Sequence, residues 1–556
     1  MTVQQDRAAM FLAQTHEVEN IAHEFQDVNL YTTDLALQEA VAREGAGWAN
    51  EALTAFGALT GSAEYLELGH LANKFGPEFD PQDRFGNRVD LAKYHSSYHQ
   101  LMKSAIEHGI HAAPWSDPKP GAHVARAAHF YLQSQVEAGH GCPITMTFAA
   151  IPALRLQPDL AAIWEPKITS RIYDPRNVPI EQKQGVTLGM GMTEKQGGSD
   201  VRSNTTRAYA VGQGGPGQAY ELVGHKFFLS APMCDAFLVL AQAPGGLSCF
   251  LVPRWRPDGS KNPLQVLRLK RKMGNVSNAS SEVEFRGALC WLIGQEGRGV
   301  RNIIEMVAMT RFDCMIGSSA GMRMATTLAL HHCGLRSAFG KVLDRQPLMQ
   351  NVLADLALES EAATALALRL ACAFDRPHDE HERLLARVLT PIAKFWICKR
   401  GSHFAQEAME CLGGNGYVEE GGEGVLARIY REMPVNSIWE GSGNIMALDL
   451  LRALRKGDVA AALARELAPA RGQHAALDRL IETLPTRVDQ GADEVGARIL
   501  ARDVALAVQA ALLAQTAPAA VFGAFCASRL KQPHDVFGTL PGGTDFDALI
   551  RRAMPA

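Results

Sequence analysis

The sequence predicts an α+β multidomain protein: an N-terminal helical domain, a middle antiparallel β domain, a helical bundle and an extra C-terminal helical domain. Three observations predict it. The chain has 556 residues, well beyond the roughly 100 to 200 residues that one ordinary core organises. Its 47% hydrophobic and 21% charged residues and mean hydropathy of -0.08 are those of a packed globular protein, which excludes disordered and fibrous classes. Along the chain the apolar period changes from helical to strand-like and back again.

Residues 1–185 carry apolar positions at helical spacing, as in LALQEAVAREGAGW and AHFYLQSQVEA, with no long alternating run. Residues 186–292 change texture to short aromatic and β-branched runs, AYELVGHKFFL, AFLVLAQA, LSCFLVP and SEVEF, separated by the turn clusters GQGGPG, APGG and RPDGSKN, which is how a β domain reads. Residues 293–450 return to the helical period in long segments with breaks at Phe339-Gly340, Arg376-Pro377 and Gly413-Gly414, lengths that suit a bundle. Residues 451–556 are Ala-rich and helical, broken by Gly457, Gly472, Pro485 and Gly491.

The N-terminal segment offers only the brief apolar run Ala8–Ala13, too short for a signal peptide, so a cytoplasmic protein is expected. The most apolar stretch, Asp503 to Phe525, is interrupted by Gln509, Gln515 and Pro518. It reads as a buried helix, because a membrane span needs about 20 nearly uncharged apolar residues. The 10 cysteines are scattered without a CxxC, which predicts reduced apolar fillers and neither a disulfide framework nor a zinc site. Net charge is -4, so the molecule as a whole has no cationic excess for nucleic acid. Residues 451–556, however, carry 13 Lys and Arg against 11 Asp and Glu, net +2 where the remainder is net -6.

Several chemistries lack their motifs: there is no GxxxxGK[ST], GxSxG or HExxH. GMGMTE at Gly189–Glu194 only imitates a dinucleotide fingerprint, since Glu194 replaces the third glycine. His331 and His332 are adjacent on a helical stretch and point to different faces, so a shared metal is not expected.

Four segments carry a signal. MGMTEKQGGSD, Met190 to Asp200, puts hydroxyls after an apolar strand with two glycines that allow close backbone approach to a ligand. Taken alone, an ordinary Gly-Ser turn has the same letters. KFFLS, Lys226 to Ser230, places Phe228 and Ser230 on one face of a strand. LRSAFGK begins at Leu335, and IWEGSGNI spans Ile438 to Ile445 after an expected proline-containing loop at Met433-Pro434. A carboxylate beside Gly441, next to Trp439 and just before a helix, is placed to be desolvated and raised in pKa as a general base requires; taken alone, a solvated glutamate at a helix start is the commoner reading of the same letters.

In this order the four segments resemble the acyl-CoA dehydrogenase family, flavoproteins that remove a proton and a hydride from the α and β carbons of an acyl-CoA thioester. The longer stretches MGMTEKQGGSDVRSNTTRA, LKRKMGNVSNASSEVEF, MTRFDC and YREMPVNSIWEGSGNIM look like the AidB branch, flavoproteins of the bacterial adaptive response to DNA alkylation. The resemblance covers essentially the whole chain. It implies FAD as cofactor and Glu440 as the base for the α-proton. It implies Met192, Thr193, Ser199, Phe228 and Ser230 around the isoalloxazine ring, with Thr193, Ser199 and Ser230 also near substrate. Arg336, Phe339 and Gln346 look like contacts to a neighbouring subunit's cofactor, with Gly413 and Gly414 giving close backbone approach, which implies a homotetramer. Trp439, Ser442 and Asn444 complete the set. Trp439 stands where dehydrogenases often carry tyrosine, and Asn444 where many carry glutamine. Arg311 is expected either at the acyl pocket or in an ion pair within the bundle.

Three functions follow from the resemblance: a dehydrogenase of short or branched acyl-CoA such as isovaleryl-CoA, with an electron-transfer flavoprotein as acceptor; a DNA-associated flavoprotein; or a flavin or acyl-CoA binding protein without turnover. For duplex DNA the expected contacts are Arg498 and Arg502, one turn apart, joined by Arg529, Lys531, Arg551 and Arg552.

Overall fold

The computed structural model describes residues 16–420, 425–455, 457–531 and 534–554; the run Ala8–Ala13 lies outside them. The N-terminal part contributes helices α1 (Leu35–Arg43), α2 (Asn50–Thr60), α3 (Ala63–Lys74), α4 (Ser96–Glu107), α5 (Ala122–Val136), α6 (Gly141–Leu154) and α7 (Pro158–Ile168). Their starts follow side-chain capping: Asp34 accepts from the Leu37 N–H and Ser62 from the Tyr65 N–H. Between α3 and α4 lies a hairpin, β1 (Glu78–Gln82) paired antiparallel with β2 (Arg88–Lys93), that the helical reading of this region missed. Its strands, EFDPQ and RVDLAK, have no clean apolar alternation, and only the turn is written in the sequence: Asp83 accepts from the N–H groups of Phe85 and Asn87.

The middle sheet comprises β3 (Leu188–Gly191), β4 (Arg207–Ala210), β5 (Ala219–Ser230), β6 (Ala236–Ala243), β7 (Gly246–Pro253), β8 (Leu264–Leu269) and β9 (Ser280–Ile293). Its pairings close into a ring, β4–β5–β9–β7–β6–β4, with β3 beside β6 and β8 beside β9. It is antiparallel apart from the pairs that β6 makes with β3 and β4, which are parallel. Strands β6 and β7 are buried almost throughout, as their unbroken apolar sequences require.

The spine of the molecule is helix α8 (Gly299–Leu335). Its first turns, Ile303 to Met309, sit in the core of the β sheet and helices α6 and α7. From Phe312 onward it sits in the all-helical core with α9 (Pro347–Asp375) and α10 (Glu380–Cys411). Arg126 of α5 reaches this seam, pairing with Asp313 (Nη2–Oδ2 2.7 Å) in full burial. A two-residue hairpin, β10 (Ser337–Ala338) and β11 (Lys341–Val342), turns the chain between α8 and α9. Helices α11 (Val425–Asn436) and α12 (Gly443–Leu454) complete the bundle, with Pro434 inside α11 and not in a loop. No described helix is long and apolar enough to cross a membrane, and all 10 cysteines are buried and unbridged.

The C-terminal part adds α13 (Val459–Leu467), α14 (Ala475–Gln490), α15 (Ala497–Thr516), α16 (Ala519–Phe525) and α17 (Phe546–Ala553). The apolar stretch after Asp503 is the buried helix α15 followed by α16, with Pro518 at the break. Arg529, expected to face DNA, is 5% exposed and donates to Asp355 (2.5 Å) and Glu359 (2.9 Å) of α9. A buried guanidinium committed to two carboxylates cannot meet a phosphate. Arg552 is also committed, to Glu361 (2.9 Å) and Glu39, and so ties the last helix to α9 and α1. Burial opposes charge on Asp355 and Glu359, but Arg529, Arg400 and His534 overcome it and hold both carboxyls down at about 2.

Arg529→Met is expected to cost about 3–5 kcal/mol in denaturant unfolding, because it removes the buried cation that the two carboxylates share and leaves Glu359 with Arg400 alone and Asp355 with His534 alone. The stability those carboxylates contribute is full above their unfolded values of 3.8 and 4.5 and is lost as pH falls toward about 2. The wild type therefore loses more stability than the variant across that window, and equal losses would show that the pair does not stabilise the fold.

Candidate functional site

The segment between α11 and α12 is a tight turn with Glu440 at φ +58 and Gly441 at φ +106. The backbone itself favours glycine at 441, since L side chains rarely adopt a φ of +106. A non-glycine residue in the left-handed region costs about 1–3 kcal/mol and persists only where its surroundings hold it. Two buried cations do so here. Arg311 of α8 donates through Nε to the Glu440 carbonyl (2.8 Å) and through Nη1 to Asp449 (2.8 Å). Lys394 of α10 donates to the carbonyls of Gly441 (2.8 Å) and Asn436 (3.1 Å). Arg387 anchors the other oxygen of Asp449 at 2.8 Å. The carboxyl of Glu440 is thereby aimed at α8, where Thr310 donates its hydroxyl to Oε2 (2.8 Å). Burial pushes the Glu440 pKa up; the Thr310 hydrogen bond and the charges of Arg311 and Lys394 act against it.

The two segments nominated for a flavin ring are joined by a buried ion pair, Lys226 Nζ to Glu194 Oε1 at 2.6 Å. Glu194 also accepts from the N–H groups of Thr205 (2.6 Å) and Thr206 (3.2 Å), and the Phe227 N–H donates to the Thr193 carbonyl (2.8 Å). Met192 and Thr193 are half-buried, Ser199 is exposed, Phe228 presents its ring with 49% exposure, and Ser230 shares a 3.3 Å contact with the Ser280 hydroxyl. A Cβ on Gly198 would meet Thr193 Oγ1 at 2.8 Å, so the loop folds back on the threonine.

Arg336, Phe339 and Gln346 lie elsewhere. Thr310 and Leu335 are 25 residues apart on one continuous helix, roughly 37 Å at 1.5 Å per residue, so a single chain does not bring Arg336 to Glu440. Arg336 donates to the Asn20 carbonyl (2.6 Å), Gln346 to that of Ala338 (2.9 Å), and Phe339, at φ +53, is 99% exposed at the hairpin tip. Gly413, at φ +60, and Gly414 are open on their Cβ sides. Ser442 is half-buried at the start of α12 and Asn444 is exposed. Of the two placements open to Arg311, the ion pair within the bundle is present. The indole N–H of Trp439 is buried without a partner among the described residues. Exposed aromatic and hydroxyl groups on the β domain and an orphaned buried indole donor next to the base are the kinds of group that a large planar, polar-edged cofactor uses.

Residue-by-residue reading missed Thr310, Lys394, Asp449 and the Lys226–Glu194 pair. Thr310, Glu194 and Lys226 stand inside quoted segments, adjacent to nominated residues, but their pairing is set across the fold. Lys394 and Asp449 carry no local signal.

Three family models match in succession: the adaptive response protein AidB N-terminal domain over residues 20–175, the acyl-CoA dehydrogenase middle domain over 189–288 and the acyl-CoA dehydrogenase C-terminal domain over 297–455. AidB of Escherichia coli (strain K12) is 50% identical over 508 residues, 91% of this chain and 93% of that protein. Acyl-CoA dehydrogenase family member 11 of Caenorhabditis elegans is 30% identical over 408 residues, 70% of this chain and 64% of that protein. Among solved structures, C. elegans ACDH-11 in complex with C11-CoA superposes with a TM-score of 0.82 at 25% identity, covering 98% of this chain and 94% of the other. Bd2924 in its apo form gives 0.80 at 30% identity, covering 88% and 98%. The chain belongs to the acyl-CoA dehydrogenase family of FAD-dependent oxidoreductases, in its AidB branch.

Proposed function

We propose that this protein dehydrogenates short or branched acyl-CoA thioesters of the isovaleryl-CoA kind, at a modest rate, with Glu440 as the base. The observation that carries the reading is the Glu440 carboxyl itself, held on a strained turn, raised in pKa and hydrogen-bonded by Thr310. A carboxylate abstracts a carbon-bound proton more readily as its pKa approaches the working pH, and a positioned base contributes about 10²- to 10⁴-fold. Thr310 orients the oxygen, while Arg311 and Lys394 fix the backbone from which it projects. FAD, when bound, supplies the two-electron acceptor. Thr193, Ser199, Phe228 and Ser230 would hold its ring system, with Trp439, Ser442 and Asn444 on the side of the base. Arg336, Phe339, Gln346, Gly413 and Gly414 would serve the site of a second subunit in a homotetramer, a reading supported for Arg336 by the roughly 37 Å of helix between it and Thr310. An acyl-CoA ligand is supported by the C. elegans relative, whose structure contains C11-CoA. The bulk of Trp439 where a tyrosine is common supports slow turnover, with an electron-transfer flavoprotein as the acceptor.

A second activity, binding of duplex DNA by residues from about 451 onward, is favoured by one observation. Arg498 and Arg502 are both exposed and one turn apart on α15. Arg502 is shared with Asp503 (2.8 Å), and Arg498 lies over the Phe395 ring. Lys531 is exposed as well. In a tetramer, several modest basic faces act together when one duplex spans them.

The protein is expected to purify yellow with about one FAD per chain, and an acyl-CoA panel added anaerobically is expected to bleach it. Glu440→Gln should keep the colour and lose bleaching by at least about 10²-fold. Undiminished bleaching would show that the proton goes elsewhere, and a colourless protein that cannot take up FAD would end the reading.

Reversing Arg498 and Arg502 to glutamate is expected to weaken duplex binding by at least about tenfold near 50 mM salt while FAD content and subunit assembly stay as in the wild type. Unchanged binding would remove the DNA assignment from this helix.

A further inference from the structure

Two cysteines meet where the long helices of the bundle end. Cys333 lies in the last turn of α8, and Cys411 is the last residue of α10. They are 78 residues apart in the chain, yet the Cys333 thiol donates to the Cys411 carbonyl oxygen at 3.7 Å. The Cys411 thiol is hydrogen-bonded in return to the sulfur of Cys333. Each S–H group is thus spent on the other residue. Cys333 is fully buried and Cys411 is 5% exposed.

A second cysteine pair on the same two helices supplies the contrast. Cys398 donates to the Cys314 carbonyl at 3.5 Å, but its sulfur accepts from the Ser318 hydroxyl at 3.3 Å, and both residues lie well inside their helices. The Cys333–Cys411 contact instead lies in the terminal turns, the part of a helix that opens most readily. Just beyond it the chain reaches the surface, at Leu335 on one side and at Gly413 and Gly414 on the other. Two thiols already in contact meet the requirement that a disulfide imposes on the backbone, since cysteines whose side chains point apart cannot be bridged without moving it.

We propose that Cys333 and Cys411 are a modification site, forming a reversible disulfide when the protein meets a hydroperoxide and so tying the end of α8 to the end of α10. Cys411, the more accessible sulfur, reacts first. Its sulfur takes one oxygen from hydrogen peroxide as the O–O bond breaks, giving a sulfenic acid and one water. The Cys333 sulfur then attacks that sulfenic sulfur; the S–S bond forms, the S–O bond breaks, and the hydroxyl leaves with the Cys333 proton as a second water. The two thiols lose two electrons and two protons in all, and one peroxide is reduced to two waters. The hydrogen bond with Cys333 and burial push the Cys411 thiol well above its usual pKa, so thiolate is scarce at neutral pH and the first step is slow. The bond joins the roots of two surface features, the β10–β11 hairpin with Arg336 and Phe339 and the turn at Gly413 and Gly414. Arg311 and Lys394, which hold the Glu440 turn, lie farther back on the same helices. The inference is independent of the acyl-CoA reading.

The test uses the reduced, assembled holoprotein. It is exposed to excess hydrogen peroxide under native conditions, quenched, unfolded in N-ethylmaleimide and digested without reductant. Two of the 10 thiols should escape alkylation, the Cys333 and Cys411 peptides should be recovered joined, and dithiothreitol should release both. Cys411→Ser and, independently, Cys333→Ala should each abolish the joined peptide, with FAD content and unfolding midpoint reporting that the variants are folded. A full set of free thiols, consumption of thiols with no joined peptide, or a bridge between other cysteines in place of this one overturns the inference.

Discussion

The left-handed turn at Glu440 and Gly441 is the constraint on which the rest of the site depends. A carboxyl on a flexible loop would sample many positions, and proton abstraction from carbon requires one. Here the turn is strained, and the strain is held by cations from two long helices that never approach it in sequence: Arg311 on α8 and Lys394 on α10 bind its carbonyls. Arg311 is fixed in turn by Asp449, and Asp449 by Arg387. Each of these donors is charged and most are buried, the circumstance in which a hydrogen bond to a carbonyl is worth most.

The second organising pair is Lys226 and Glu194. Inside the β domain it joins the two segments that carry Thr193 and Phe228, with Glu194 held down at about 2 by Lys226 and backbone donors despite its burial, and Lys226 drawn to about 8 by burial. Both are therefore charged at neutral pH and neutralise each other. The β core and the helical core share two helices: α6 gives Ile144 to the helical core and Cys142 and Met146 to the β core, and α8 runs in the β core as far as Met309 and in the helical core from Phe312. Thr310 and Arg311 occupy the seam. Trp439, next to the base, packs against both cores.

The C-terminal part is bonded into the bundle and does not hang from it. Arg529 reaches α9 through Asp355 and Glu359, and Arg552 reaches both α9 and α1. Cations that read as a nucleic-acid face in one dimension are here divided between structural and exposed roles, because a buried carboxylate demands its counter-ion from whichever arginine the fold brings near.

The sequence by itself determined the α, β, α order, the long helices, the buried character of the stretch after Asp503, and the family through MGMTEKQGGSD, KFFLS and IWEGSG, since period and motif are local properties of consecutive residues. It could show that Glu440 sits beside a glycine before a helix, a position open both to a solvated glutamate and to a desolvated base; burial in the folded protein decides for the second. It could not show the hairpin at β1 and β2, whose strands lack alternation, or that Arg529 is buried, or that Thr310, Lys394 and Asp449 converge on one turn. Those facts depend on contacts between residues far apart in the chain, where burial, partner and charge are decided together by packing, and no local pattern records which distant side chain will arrive.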